Sequence, residues 1–143
     1  MDLKTIFPIV RVPLILLTAL TCIGVLINFL DNFLIIAGWW GFVILLCAVC
    51  AIWAGYQSAS KKLSTMDSII SGAIVWIVPG SVGLFISGIN TFINALLWGA
   101  LEGYEVLAFF GGFLIIIVFI VIGAVLFGIL GYVGSFIKTF IKK

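Results

Sequence analysis

The stretch that decides the fold is residues 12–30, VPLILLTALTCIGVLINFL, which contains no charged residue and no histidine. Three more such stretches follow it, at residues 32–60, 68–101 and 106–137. A helix rises about 1.5 Å per residue and the hydrocarbon core of a bilayer is about 30 Å thick, so about 20 apolar residues cross it. The sequence therefore predicts an all-α integral membrane protein with four transmembrane helices.

The composition of the whole chain supports this interpretation and limits the classes of function. Hydrophobic residues make up 65% of the 143 residues and charged residues only 8%, against about 25% in soluble domains. A chain of this length forms a single domain with little material for an extramembrane module. The net charge of +2 is small and the cations are dispersed, so we expect no nucleic-acid partner.

The positions of the charged residues predict the orientation of the four spans. Lysine and arginine are enriched in the cytoplasmic loops of membrane proteins. If each of the four uncharged stretches crosses the membrane once, all the cations lie on the same side. They are Lys4, Arg11, Lys61, Lys62, Lys138, Lys142 and Lys143. Asp31, Glu102 and Glu105 fall on the other side. We therefore expect a protein of the cell membrane with both termini in the cytoplasm, and we expect Asp67 to be the N-cap of the helix that follows it.

Spans one and two form the first hairpin in this prediction. Span one covers 12–30 and span two covers 33–56, so only Asp31 and Asn32 remain for the outer turn. A connection this short requires the two helices to be antiparallel neighbours. Residues 57–67, which are rich in serine and lysine, are predicted to form the cytoplasmic loop to the third span.

The third stretch is too long for one straight span. Its 34 uncharged residues would extend about 51 Å as one helix, against a hydrocarbon core of about 30 Å. Pro79 and Gly80 interrupt it, and proline removes a backbone hydrogen bond from a helix. We predict a span at 68–89 that is kinked at these two residues, followed by an amphipathic helix at 90–104 in the outer interface. The alternative makes 68–78 a re-entrant segment and starts the span near Gly80.

Span four is predicted at 106–132 and is followed by a basic amphipathic tail at 133–143. The lysines of the tail alternate with aromatic and aliphatic residues at helical spacing. Each lysine near an anionic membrane surface contributes about 1 kcal/mol of attraction. We therefore assign Lys138, Lys142 and Lys143 to the lipid surface of the inner leaflet, or, in the simpler interpretation, to fixing the topology.

Small residues recur every three or four positions along three of the predicted spans. Such stripes let helix backbones approach closely in lipid, where apolar side chains alone give little drive for association. The stripes are Cys47, Ala51, Gly55 and Ala59 in span two, Gly83 and Ser87 in span three, and Ala124, Gly128 and Gly131 in span four. We predict that they are helix-packing residues, either within this bundle or against another subunit.

Polar side chains gather beyond the predicted break in the third span. Ser87, Asn90 and Asn94 follow Pro79 and Gly80 and are spaced about one helical turn apart. An unpaired amide in hydrocarbon is costly, so each asparagine must reach a polar partner or the membrane surface. Solvation at the membrane interface is one explanation for the asparagines. The alternative is a polar path lined by Pro79, Gly80, Ser87, Asn90 and Asn94.

The sequence offers little of the chemistry that is typical of an enzyme or of a metal or cofactor site. It has no histidine, and its carboxylates all lie outside the apolar stretches. Cys47 and Cys50 form a CxxC, but on an apolar helix without a neighbouring charge to activate a thiol. Cys22 and Cys47 are predicted at similar depth and are candidates for a contact across the first hairpin. We expect no catalytic residue, no metal and no cofactor.

Two functions remain compatible with this pattern. The first is an accessory or structural subunit, in a membrane assembly or a homo-oligomer, whose partners are the lipid bilayer and other membrane proteins. The second is an oligomeric channel or small-solute transporter with a polar path along the broken third helix. Gly55→Leu or Gly128→Leu is expected to disrupt assembly in the first case, and Asn90→Leu or Asn94→Leu to abolish flux in the second.

Overall fold

The computed structural model describes residues 3–27, 33–97 and 104–141, which are helical apart from one short turn. The helices are α1 Leu3–Ile27, α2 Phe33–Ser60, α3 Thr65–Leu97 and α4 Tyr104–Ile141. Each contains a segment of at least 22 residues that is long and apolar enough to cross a membrane. The predictions of an all-α chain and of four such helices are confirmed, and these helices suggest a multi-pass membrane protein.

All four helices extend beyond the predicted spans. α1 begins at Leu3 rather than at residue 12, and α2 continues past Tyr56 to Ser60. α4 continues to Ile141, so most of the predicted basic tail belongs to the same helix as the fourth span. Charged and polar residues end a hydrocarbon span without ending a helix, because the backbone hydrogen bonds of the helix do not depend on them.

A tight turn at residues 61–64 joins α2 to α3 and is shorter than the predicted cytoplasmic loop. Lys62 has a φ of 59°, which is the left-handed region. Leu63 N donates to Ser58 O at 3.1 Å, and Lys62 N donates to Ala59 O at 3.1 Å. These bonds and the left-handed residue form a Schellman cap, which satisfies the last carbonyls of α2.

Ser64 caps the start of α3 together with Asp67. Ser64 Oγ accepts a hydrogen bond from Asp67 N at 3.1 Å, and Ser64 N donates to Asp67 Oδ2 at 3.1 Å. This reciprocal pair is a capping box with the acidic residue in the first turn of the helix. The prediction that Asp67 is itself the N-cap is wrong, because Ser64 holds that position and already satisfies the amide of Asp67.

α3 is one continuous helix of 33 residues, about 50 Å long at about 1.5 Å per residue. It continues through Pro79, and it includes 68–78, the segment that the alternative prediction makes re-entrant. The predicted interfacial helix over 90–104 shares its first residues with α3, because no glycine or proline between 90 and 97 ends the helix. Residues 98–103 lie outside the described part of the chain, and the bend at Pro79 and Gly80 stays a prediction.

The helices pack as a bundle in which α2 and α3 lie between α1 and α4. α3 packs most extensively against α4, and the two are antiparallel, because Ile69 lies beside Gly128 and Gly80 beside Ile120. α1 packs on α2 and α3 and scarcely touches α4 over the described residues. Aliphatic and small side chains from all four helices form the core, including Ile6, Val10, Leu17, Cys47, Ala51, Ala54, Val75 and Phe127.

Candidate functional site

Glycines allow α2 and α4 to approach until their backbones touch. A Cβ built on Gly55 would overlap the carbonyl of Gly131, and a Cβ built on Gly134 would overlap the carbonyl of Ile52. Both overlaps are with backbone atoms, which cannot rotate away as a side chain does. α2 and α4 therefore pack at a distance that only glycine permits at these positions.

The contact between α3 and α4 also depends on glycine. A Cβ on Gly72 would overlap the carbonyl of Phe127, and a Cβ on Gly123 would overlap the indole of Trp76. That indole stacks on Phe127, with ring centroids 4.6 Å apart and planes at 9°. Its Nε1 is buried and has no hydrogen-bond partner among the described residues. Sequence reasoning missed Gly123, because the large side chain of Phe127 separates it from Gly131 in the stripe of every fourth residue.

The predicted small-residue stripes face the interior of this bundle. The buried members are Cys47, Ala51, Gly55, Gly83, Gly128 and Gly131, and the half-buried members are Ala59 and Ala124. Gly83 lies against the Cγ2 methyl of Thr21 in α1. The side chain of Ser87 lies outside the described residues. Packing within the bundle accounts for these contacts, so a contact with another subunit would use other surfaces.

Two exposed glycines lie in the first half of α2. At Gly38 and Gly41 a built Cβ has no heavy atom of the described residues within 4 Å, apart from the local helix backbone. Leu34 and Leu45 lie one turn to either side of this pair and are 81% and 65% exposed. The sequence AGWWG at 37–41 contains the pair, but leucines lie one turn to either side of it, so the two glycines do not continue into a longer stripe of small residues. We call Leu34, Gly38, Gly41 and Leu45 the open face of α2.

A segment of α4 is largely exposed. Residues 114–119 are all exposed, with Leu114 at 63% and Phe119 at 65%. Ile116 is the least exposed of the six at 38%, and it also lines a small cavity between the helices. A helix that is apolar on all sides is normally buried in a bilayer or against other helices.

Pro79 and Gly80 line a small cavity between the helices. Its volume is about 230 Å³, and its lining also includes Gly83, Thr21 and Cys47. The Thr21 hydroxyl donates to a carbonyl of its own helix at 2.8 Å. The other side chains of the predicted polar path lie outside the described residues, namely Ser87, Asn90 and Asn94. The structure thus brings two of the five predicted path residues together in one cavity.

Lys138 contacts α2 near the turn between α2 and α3. Its Nζ donates to Tyr56 Oη at 3.1 Å and lies 4.6 Å from the centre of the Tyr56 ring. This half-buried lysine joins the C-terminal end of α4 to the C-terminal end of α2. The sequence analysis did not predict this contact. Lys142 and Lys143, the other members of the predicted lipid-surface set, lie outside the described residues.

A cluster of buried serines lies where α2 meets α3. Ser58, Ser68 and Ser71 are each 0% exposed. Ser58 Oγ lies 2.9 Å from Ala54 O and 3.2 Å from Ser71 Oγ, and Ser71 Oγ donates to Ser68 O at 2.9 Å. These bonds offset the cost of burying the hydroxyl groups. The contact between the Ser58 and Ser71 hydroxyls joins α2 to α3.

The cysteines and carboxylates do not assemble into a metal site in the part of the chain that is described. No group of three His, Cys, Asp or Glu side chains lies close enough there to hold a metal ion. Cys22, Cys47 and Cys50 are free thiols, and Cys47 lies in the core. The predicted contact between Cys22 and Cys47 stays a prediction.

Two grooves open on the outside of the bundle. The first has a volume of about 840 Å³, lies between α3 and α4, and is lined by apolar residues and by Tyr132. The second has a volume of about 640 Å³ and lies between α1 and α3. Lys4 lines the second groove, which is therefore the one of the two with a charged residue in its wall.

The four apolar helices form a helical bundle and suggest a multi-pass membrane protein. No protein-family model matches the chain, and no curated protein or solved structure is significantly similar to it. Its function has to be inferred from the contacts and the exposure of its own residues.

Proposed function

We propose that the protein is a non-enzymatic integral membrane protein that acts through helix–helix association. It is an accessory or structural subunit of a membrane assembly, or a subunit of a homo-oligomer. The observation that carries the proposal is the open face of α2, where a Cβ built on Gly38 or Gly41 has no neighbouring helix of the described residues within 4 Å. Small residues on an exposed helix face let a second helix approach closely. The glycines between α2, α3 and α4 already contact helices of this bundle, so they are not available to a second protein.

In this proposal four spans cross the cell membrane with both termini in the cytoplasm. The distribution of cations supports it, because lysines stand in the first turn of α1, in the turn between α2 and α3, and in the last turn of α4. α3 is bent at Pro79 and Gly80. A bend and a tilt let its length of about 50 Å fit a hydrocarbon core of about 30 Å.

The test compares Gly41→Leu with Gly88→Leu in proteoliposomes. At both glycines a built Cβ has no heavy atom of the described residues within 4 Å, apart from the local helix backbone, so neither leucine is expected to disturb the bundle. Subunits per complex are counted by single-molecule photobleaching of labelled protein. We expect Gly41→Leu to shift complexes towards monomers and Gly88→Leu to behave as the wild type. Wild-type assembly of Gly41→Leu would contradict a homo-oligomer formed through the open face of α2.

A foreign partner requires a different readout with the same two variants. The wild type and the variants are purified from the membrane of the native cell, and stoichiometric partners are identified by mass. We expect Gly41→Leu to lose the partner and Gly88→Leu to keep it. Loss of the partner from both variants would point to a general effect of added side-chain bulk.

The second candidate function is an oligomeric channel or small-solute transporter. The observation that favours it is the cavity of about 230 Å³ at Pro79 and Gly80, in the helix where a polar path is predicted. Swelling of proteoliposomes in potassium chloride or glycerol measures flux. We expect Asn90→Leu and Asn94→Leu to abolish flux while leaving the subunit count unchanged. Wild-type proteoliposomes that behave as empty liposomes would contradict this function for both solutes.

A further inference from the structure

We propose that the groove between α1 and α3 binds one anionic phospholipid, whose phosphate is held by Lys4 and Arg11 and one of whose acyl chains lies along the apolar wall. The proposal goes beyond helix association, because the ligand is a lipid and the surface is remote from the open face of α2. It requires only that the bundle is inserted in a membrane.

The shape of the groove suits one extended hydrocarbon chain. Its lining is Lys4, Ile6, Phe7, Val10 and Leu14 of α1, with Ile74 and Val78 of α3. From Lys4 to Leu14 the helix rises about 15 Å at about 1.5 Å per residue. Ile6 and Val10 are each 1% exposed and form the floor, whereas Phe7 is 58% exposed and forms a rim. The groove is thus long, apolar and open along its length to the surroundings of the bundle.

The charge at one end of the groove suits an anionic headgroup. Lys4 lines that end, and Arg11 follows seven residues later, nearly two helical turns on, so both exposed cations lie on one side of α1. The membrane-spanning segment of α1 begins at Lys4, which places this lysine near the membrane surface. Arg11 lies about 10 Å further along the helix, and its long side chain can extend back towards Lys4, because helix side chains tilt towards the N-terminus. Arginine binds phosphate through a planar fork of donors, and lysine adds a point charge. Basic grooves between transmembrane helices are typical sites for anionic lipid headgroups.

The other groove is a poorer site for an anionic lipid, and a second copy of this chain is a poorer occupant of the groove between α1 and α3. The larger groove between α3 and α4 has no charged residue in its lining, so an acyl chain could fill it without any selection of the headgroup. A second copy of this chain in the same orientation would bring its own cations to the level of Lys4 and Arg11, and like charges repel. Asp31, Glu102 and Glu105 of such a copy would lie at the opposite membrane surface in the predicted topology. Charge complementarity therefore favours an anionic lipid.

The first test uses native mass spectrometry of the full-length protein from liposomes with equal amounts of dioleoyl phosphatidylglycerol and dioleoyl phosphatidylcholine. We expect the wild type to retain one phosphatidylglycerol in preference to phosphatidylcholine. Two cations at about 1 kcal/mol each give about 2 kcal/mol, so the double variant Lys4→Gln/Arg11→Gln should bind phosphatidylglycerol about thirtyfold more weakly. The control Lys61→Gln/Lys62→Gln removes the same charge from the exposed turn and should bind as the wild type.

The results that overturn the proposal are specific. Equal weakening in both double variants would show an effect of overall charge, and equal retention of the two lipids by the wild type would show no selection of the headgroup. Unchanged binding in Lys4→Gln/Arg11→Gln would exclude these two cations as the phosphate site.

A second variant keeps every charge and tests the apolar wall. Val78→Trp places a large side chain in the groove, and Val49→Trp, at a 55% exposed position on α2, is the matched control. We expect Val78→Trp to lose phosphatidylglycerol and Val49→Trp to keep it. Retention by Val78→Trp would overturn the proposal even if Lys4→Gln/Arg11→Gln fails to insert. The same spectra report the subunit count, so a failure of lipid binding is distinguished from a failure of assembly.

Discussion

Replacing Gly55 with alanine is expected to destabilise the bundle, although alanine is the better helix former. The added Cβ would overlap the carbonyl of Gly131, and this backbone atom moves only if α2 and α4 separate. Overpacking costs about 1–3 kcal/mol, and overlap with rigid backbone belongs in the upper half of that range. The gain in helix propensity from glycine to alanine is about 1 kcal/mol. The free energy of unfolding should therefore fall by about 1–2 kcal/mol.

Gly88→Ala is the matched control, because it makes the same chemical change at a position outside the open face of α2, where a Cβ meets no heavy atom of the described residues within 4 Å. It should raise the free energy of unfolding by about 0.5–1 kcal/mol through helix propensity alone. Both variants are unfolded at equilibrium in mixed micelles of a mild detergent and sodium dodecyl sulfate, and helix content is followed by circular dichroism. The midpoint is the fraction of sodium dodecyl sulfate at which half of the protein is unfolded. If both variants shift this midpoint in the same direction relative to the wild type, the close packing of α2 on α4 is refuted.

Three further predictions concern the turn between α2 and α3 and the orientation of the chain. Ser64→Ala removes the capping box with Asp67 and should lower the free energy of unfolding by about 1 kcal/mol in the same assay; an unchanged midpoint would mean that the cap is not formed. Lys62→Gly removes a left-handed non-glycine residue that costs about 1–2 kcal/mol, partly offset by about 0.5–1 kcal/mol of glycine entropy, so a gain of up to about 1 kcal/mol is expected. In a variant without native cysteines, an impermeant maleimide should label Lys61→Cys from the cytoplasmic side and Asp31→Cys from the other side; the reverse pattern would contradict the proposed orientation.

The number of helices was predictable from the sequence because the charged residues are confined to short clusters. Between the clusters the chain has no group that resists hydrocarbon, and this alone gives four apolar helices. The helix ends were less predictable, because charge marks the membrane boundary and not the end of a helix. Arg11 is the last charge before span one, yet α1 is helical from Leu3. At the boundary between α2 and α3, the cap at Ser64 and the left-handed Lys62 mark the helix ends, and both are local features of the chain.

The surfaces of the bundle were harder to predict than its helices. The stripe that includes Gly55 indicates close helix contact, but a periodic pattern does not say whether the partner helix belongs to the same chain. That distinction depends on where α4 lies, and Gly131 is far from Gly55 in sequence. The contact between Lys138 and Tyr56 joins residues 82 positions apart and has no local signal either. The open face of α2 has no local signal either, because Gly41 differs from Gly55 in having no helix of the described residues packed against it.

The most direct test of the central claim, association through helix faces, is native mass spectrometry of the wild-type protein extracted from its own membrane in a mild detergent. The claim predicts that the chain travels in a stoichiometric complex, either with copies of itself or with a foreign membrane protein. A chain that travels alone, with lipid as its sole companion, would contradict it.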